Sequence, residues 1–255
     1  MGAGSRLIGA VGEDTDGQAL VSQLAIDGVD VASVRRAGPD TGAAHICVSA
    51  DGENMIVVTP GANAAVTPEM VRSAIRPGDR VFLSQLETPI EALRALYESG
   101  PARAGLKLLN AAPALADGAA LFGLIDLLVV NETELAVYAG LKVPPVGADA
   151  VAAAGRLAAE QGVAVIVTLG AAGAVMASAG EALIIPGRTA AAVVDTTGAG
   201  DCFCGALAAA LSRRLAPGEA LAMANAAACL SVGRAGAGPS MPRRAEVEAM
   251  LRADA

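Results

Sequence analysis

From residue 61 onward the sequence alternates short apolar runs with Ala- and Leu-rich stretches of helical length, and this alternation restricts the fold more than any other feature. The runs at 80–83, 106–109, 124–130 and 163–168 read as strands; a stretch capped by Thr67-Pro68 and those at 89–99 and 149–161 read as helices. A parallel pair of strands needs a long crossover, and a helix supplies it, so alternation of this kind implies a mostly parallel sheet with helices on both faces. Two further runs (174–177 and 183–186) and helices near 199–211, 217–232 and 245–252 complete an expected α/β core over residues 61–255.

The first sixty residues divide in two. Residues 1–28 begin an α/β core, with a strand at 7–11, a polar loop at 12–17 and a helix carrying Ala19, Leu20, Leu24 and Ala25 on one face and stopping at Gly28. Residues 29–60 change pattern. Runs at 31–36, 41–48 and 54–58 read as three strands without a helix between them, the last two joined by a turn at 50–53. The expectation is a small antiparallel β lid. The link Pro144-Pro145-Val146-Gly147 reads as a loop rather than a domain boundary.

Composition removes several functions. A net charge of −8 over 255 residues without a basic run argues against extended nucleic-acid binding. Three Phe, two Tyr and no Trp leave no base-stacking platform, so a bound adenine would lie between aliphatic side chains. No apolar run reaches transmembrane length and no signal peptide opens the chain, so the expected setting is soluble and cytoplasmic. The four cysteines have no metal-ligand spacing and read as reduced, buried small residues. The single histidine, His45, falls in an expected lid strand, which leaves no basis for a zinc site or a His-based triad.

The chemistry concentrates at Asp195-Thr196-Thr197-Gly198-Ala199-Gly200-Asp201. The run 191–194 before it reads as the end of a buried strand, and an Ala/Leu-rich helix begins near Ala199. Gly198 and Gly200 permit backbone conformations closed to other residues and expose N–H groups at a helix start. With the positive end of the helix dipole, those donors suit a phosphate. Asp201 would repel that phosphate unless it served as a general base, taking a proton from a hydroxyl that attacks the phosphoryl group. A Gly-rich strand-to-helix turn also serves simple helix–sheet packing, so the turn alone leaves both readings open. The chain has no GxxxxGK[ST], and the spacing Gly198, Gly200, Gly205 does not fit GxGxxG.

Three other polar motifs follow directly on expected strand ends, where ligands bind in such sheets: Gln85-Leu86-Glu87, Asn131-Glu132-Thr133-Glu134, and Thr168-Leu169-Gly170. Asn131 and Glu134, three apart on one helical face, suit the orientation of water around Mg²⁺ and phosphates, although the same tetrapeptide also serves as a plain helix cap. Gly170 and Gly173 let backbone approach a nucleotide or simply form a hairpin.

Taken together, these motifs resemble the ribokinase-like (phosphofructokinase B) carbohydrate kinases. The 195–201 heptapeptide resembles the family's C-terminal signature, and Asn131-Glu132-Thr133-Glu134 and Thr168-Leu169-Gly170-Ala171-Ala172-Gly173 stand before it in the family's order. Pro60-Gly61-Ala62-Asn63-Ala64, Gln85-Leu86-Glu87 and Gly236-Ala237-Gly238-Pro239-Ser240 place it nearest the ribokinase branch. The resemblance implies ATP-dependent phosphorylation of a sugar hydroxyl, D-ribose foremost, with Mg²⁺ and K⁺. It implies Asp201 as the base and the backbone of Gly198, Ala199 and Gly200 as the anion hole. Asn131 and Glu134 would serve Mg²⁺–ATP, and Thr168, Gly170, Gly173 and Asn225 would line the nucleotide site. Glu87, with Asp201, would face the sugar. Asp195, Thr197, Ser231, Arg234, Gly236 and Ser240 match the positions around the potassium ion. The partners implied are sugar and ATP, with neither nucleic acid nor membrane, and a homodimer through the lid.

The resemblance begins at the family's second core strand. The family's opening strand with its sugar-binding Asp, and its Gly-rich sugar loop, have no counterpart in the sequence from Met1 onward. The nucleotide half is therefore expected to be complete and the sugar half incomplete. Two other readings stay open: a shortened nucleotide-binding remnant with little or no turnover, and a relative that phosphorylates a nucleoside or a sugar phosphate.

Overall fold

The computed structural model describes residues 1–48 and 54–253. The turn expected at 50–53 lies outside them. The elements run β1 (Arg6–Val11), α1 (Thr15–Ile26), β2 (Asp30–Arg36), β3 (Ala43–Val48), β4 (Asn54–Thr59), α2 (Pro68–Ala74), β5 (Val81–Ser84), α3 (Ile90–Tyr97), α4 (Gly100–Ala104), β6 (Leu106–Asn110), β7 (Leu127–Asn131), α5 (Glu132–Tyr138), α6 (Gly147–Gln161), β8 (Ala164–Thr168), β9 (Gly173–Ser178), β10 (Glu181–Pro186), α7 (Ala199–Ser212), α8 (Pro217–Ser231) and α9 (Arg244–Ala253).

The main sheet has six strands in the order β10-β9-β8-β7-β6-β5. The pairs β5–β6, β6–β7 and β7–β8 are parallel; β9 and β10 fold back antiparallel on the β8 side. Alternation along the central strands builds the core. Leu109, Leu128, Val130, Val165 and Val167 face one helical layer with Leu157, Phe122 and Tyr97, while Leu108, Leu127, Val129 and Ile166 face the other with Phe203, Leu207 and Leu221. These strands are apolar on both faces, as a sheet buried on both faces requires. The helices begin and end where local chemistry permits. The Thr67 side chain accepts the Met70 N–H at 3.3 Å with Pro68 at the first position of α2, and Gly162 (φ 66°) closes α6 in the left-handed region.

Two expectations fail. Residues 30–36 do not join an antiparallel lid. They pair in parallel with β1 as a separate two-stranded sheet, while β3 and β4 alone form the antiparallel piece. The cause is α1: β1–α1–β2 is a crossover unit, and a helical crossover returns the chain parallel to the first strand. The run 191–194 is not a buried strand either. Val193 and Val194 are 69% and 58% exposed, and the backbone there is held by the Val194 and Asp195 N–H groups donating to the single carbonyl of Val232, at 2.8 and 3.2 Å. The neighbour available at that point is the end of a helix, which offers no ladder, so a β-branched run stays irregular.

Candidate active site

The carboxyl ends of the parallel strands gather most of the polar motifs. Asn131 ends β7 and Thr168 ends β8, and the two are direct register partners. Gln85-Leu86-Glu87 follows β5, two strand positions from β7 and three from β8, about 10 and 14 Å at ordinary strand spacing.

At the central turn, Gly198 caps α7 with φ 75°, and a side chain there would press to 3.1 Å from Cβ of Ala237. The left-handed conformation favours glycine there, and the loop packed over it leaves an added side chain little room. The Asp195 carboxylate fixes that loop: Oδ1 accepts the Thr197 N–H and Oδ2 the Gly236 N–H, both at 2.9 Å. Hydrogen bonds from Thr197, hydroxyl first, and from the Gly236 amide hold the Asp195 carboxyl below its ordinary value. The Ala199 N–H donates to Thr196 O at 3.2 Å, whereas the first turn of a helix leaves the amides of Gly200 and Asp201 without partners inside it. Gly200 has neither an unusual φ nor a close neighbour; a Cβ there would stand in open space. Its missing side chain keeps that space free beside the helix's positive end.

Asp201, third residue of α7, lines a cavity of about 200 Å³ with Met1, Cys202, Gly205, Ala206, Met241 and Pro242. Among the described residues nothing hydrogen-bonds its carboxylate. The surrounding protein raises the Asp201 carboxyl above its ordinary 3.8. An unpartnered carboxylate with raised basicity, next to a helix start that favours anions, is equipped to take a proton from a hydroxyl beside a phosphoryl group.

Asn131 and Glu134 close on one another. Glu134 Oε2 accepts the Asn131 N–H at 2.8 Å, Oε1 accepts the Asn131 side-chain amide at 3.1 Å, and Asn131 Oδ1 accepts the Glu134 N–H at 2.8 Å. This is a capping box, and burial (9% exposed) raises the Glu134 carboxyl. Each carboxylate oxygen keeps a second lone pair, which suits a water held between protein and a cation. Gly170 and Gly173 separate in kind. Gly173 (φ 106°) has Ile185 O at 2.1 Å from any added Cβ, so the β9–β10 packing dictates it; Gly170 (φ 53°) faces open space. Asn225, buried on α8, donates its amide to Pro186 O at 2.9 Å and so fastens the end of β10. Glu87 is exposed, its N–H donating to Gln85 Oε1 at 2.6 Å.

Of the six positions matched to a potassium site, Asp195 is hydrogen-bonded to both Thr197 and Gly236. The Arg234 N–H donates to Ser231 O at 3.0 Å, and the Arg234 side chain pairs with Glu246. The buried hydroxyls of Ser231 and Ser240 donate to Ala228 O and Ala237 O at 2.8 and 2.7 Å. Among the described residues no group of three acidic, His or Cys side chains could hold a metal ion. Sequence reasoning missed Met1 and Met241, which wall the Asp201 cavity. Only tertiary packing brings two methionines 240 positions apart to one aspartate, and no local pattern carries that signal.

Comparison with known proteins identifies the family. A model for the "pfkB family carbohydrate kinase" matches residues 1–244. A ribokinase from Staphylococcus aureus is 37% identical over 147 residues, which make up 56% of this chain and 48% of that protein. The chain thus spans about half the length of that relative in the match. The crystal structure of a Thermotoga maritima ribokinase superposes with a TM-score of 0.85 at 32% identity, covering 97% of this chain and 81% of that one. An Arabidopsis thaliana ribokinase complexed with ribose and ATP superposes with a TM-score of 0.84 at 32% identity, covering 98% and 82%. By family match and fold, the chain belongs to the pfkB family of carbohydrate kinases.

Proposed function

We propose that the protein phosphorylates a sugar hydroxyl from ATP, with D-ribose the first candidate acceptor. One observation carries the reading: the unpartnered Asp201 carboxylate lies in the first turn of α7 beside Gly200, whose absent side chain leaves open space at the helix's positive end, and above a cavity of about 200 Å³. In this role Asp201 receives the proton of the attacking hydroxyl, while the amides of Gly200 and Asp201 and the turn at Gly198 hold the transferring phosphoryl oxygens. Asn131 and Glu134 orient water toward the phosphates. Mg²⁺, when bound with ATP, would neutralise phosphate charge. Thr168 and Gly170 border the nucleotide, with Gly173 and Asn225 shaping the wall behind it, and Glu87 borders the sugar. Asp195, Thr197, Ser231, Arg234, Gly236 and Ser240 frame a monovalent-cation site beside the anion hole, with K⁺ as the expected ion. The lid strands β3 and β4 are the proposed contact of a homodimer.

A second reading has its own support. β1 and β5 are each paired along one side only among the described residues, although both contribute to the same hydrophobic cluster. A sheet interrupted there favours a protein that holds ATP well and sugar poorly. Release of ADP across a panel of sugars, nucleosides and sugar phosphates, with and without Mg²⁺ and with K⁺ exchanged for Na⁺ at fixed ionic strength, decides between them. The kinase reading expects ribose-dependent ADP release that requires Mg²⁺ and is greater in K⁺. ATP binding without acceptor-dependent release would favour the second reading, and equal rates in K⁺ and Na⁺ would count against the cation site.

A further inference from the structure

A larger cavity, of about 570 Å³, lies at the opposite end of the main sheet, where β5 and β6 begin, and Arg80 and Arg214 are among its lining residues. Arg80 immediately precedes β5, and its guanidinium donates to Ser212 O, the last residue of α7, at 3.2 Å. A guanidinium has five donors, so most of its capacity remains. Asp79, on the same wall, is occupied: Arg6 pairs with it at 3.0 Å and the Arg76 N–H donates to it at 2.8 Å. Two arginines therefore border this space while the carboxylate beside them is already matched, in a protein whose net charge is −8.

Arg214 carries the second observation. The chain leaves α7 through a left-handed turn in which the Arg214 N–H donates to Leu211 O at 2.9 Å and the Leu215 N–H to Ala210 O at 3.2 Å. Arg214 occupies the left-handed position, with φ 63°, where glycine meets no steric cost. It is the one non-glycine residue with positive φ among the described residues, and it lines the cavity. Residues held in such conformations cluster at ligand and switch sites. A second arginine, Arg213, stands beside it but does not line the cavity.

We propose that this cavity binds a small phosphate-bearing molecule through the guanidinium groups of Arg80 and Arg214. Guanidinium forks match phosphate oxygens in geometry as well as charge. The site is distinct from the candidate active site: α7 carries Asp201 at one end and closes the cavity at the other, about 16 Å away at the ordinary helical rise.

The test uses the whole chain and inorganic phosphate, with melting temperature measured at ionic strength balanced by chloride. The parent and Arg213→Gln, which loses the same unit of charge outside the cavity, should melt higher in millimolar phosphate. Arg214→Gly and Arg80→Met should lose most of that rise, and Arg214→Gly should melt above the parent when phosphate is absent, because the turn is relieved. Phosphate that reaches the anion hole stays visible in both cavity variants, so the difference between parent and variant isolates this site. A Gly200→Ala arm reports on the anion hole separately. A full phosphate response in Arg214→Gly, an equal loss in Arg213→Gln, or no response in the parent would each overturn the proposal.

Discussion

Gly200 and Asp201 separate structural need from chemical use at the level of single residues. Gly198 and Gly173 are glycines that the fold demands, both by positive φ and Gly173 also by a backbone oxygen at 2.1 Å from an added Cβ. Gly200 is demanded by neither, so Gly200→Ala should leave the melting temperature unchanged or raise it, since Ala gains roughly 0.5–1 kcal/mol over Gly in a helix. The same methyl group would fill the space at the helix start and weaken nucleotide-dependent turnover. Loss of fold in Gly200→Ala, or unaltered turnover, would contradict the assignment. Asp201 makes a paired prediction. Its carboxyl is raised by burial, so the basic form is lost as pH falls through a value above 3.8, and the acid limb of turnover should lie above that value. For stability the sign is opposite. A folded-state value above the unfolded one favours the folded form below the unfolded value, and that contribution disappears as pH rises through the folded value. Asp201→Asn should therefore melt at or above the parent near neutral pH while turning over more slowly, and a lower melting temperature would argue for a structural role.

Elements differ in how far the sequence announces them. The strands β6, β7 and β8 were legible because their Val, Ile and Leu runs are buried on both faces and flanked by helical stretches. The run at 191–194 has the same composition and a different fate, because strand identity depends on a neighbour with a free ladder, and there the neighbour is the Val232 carbonyl at the end of α8. The parallel pairing of β2 was available in principle from α1, which precedes it as a crossover; the pattern of residues 29–60 taken by itself concealed it. The motifs of the candidate site were readable because polar residues interrupt apolar strands at their carboxyl ends, whereas Met1, Met241 and the contact of Ala237 with Gly198 arise only from packing. The two sheets should also differ in behaviour. β7 is paired on both sides, while β1–β2 is an isolated pair with Leu7 40% exposed. Amide hydrogen exchange should accordingly be faster in β1 and β2 than in β7 and β8 by several orders of magnitude. Equal protection would mean that the two sheets open as one unit.

For the whole molecule, Arg6 joins what the hydrogen-bonded sheets leave separate. Its guanidinium meets Asp30 of β2 at 3.2 Å, Asp79 ahead of β5 at 3.0 Å and the Ala74 carbonyl at the end of α2 at 3.3 Å. The two-stranded sheet is thus fastened to the main body by side chains and by a shared apolar cluster rather than by a continuous ladder. No helix of the described residues is long and apolar enough to cross a membrane. The proposed chemistry rests on the start of α7, where Gly198, Gly200 and Asp201 stand together. The most direct test measures ribose-dependent ADP release and ATP affinity side by side for the parent and Asp201→Asn, both shown to be folded by their melting curves. With Asp201 as the general base, ATP affinity should be retained and acceptor-dependent turnover should fall about 10²- to 10⁴-fold, the range for removal of such a group. Equal turnover in the two proteins would contradict it.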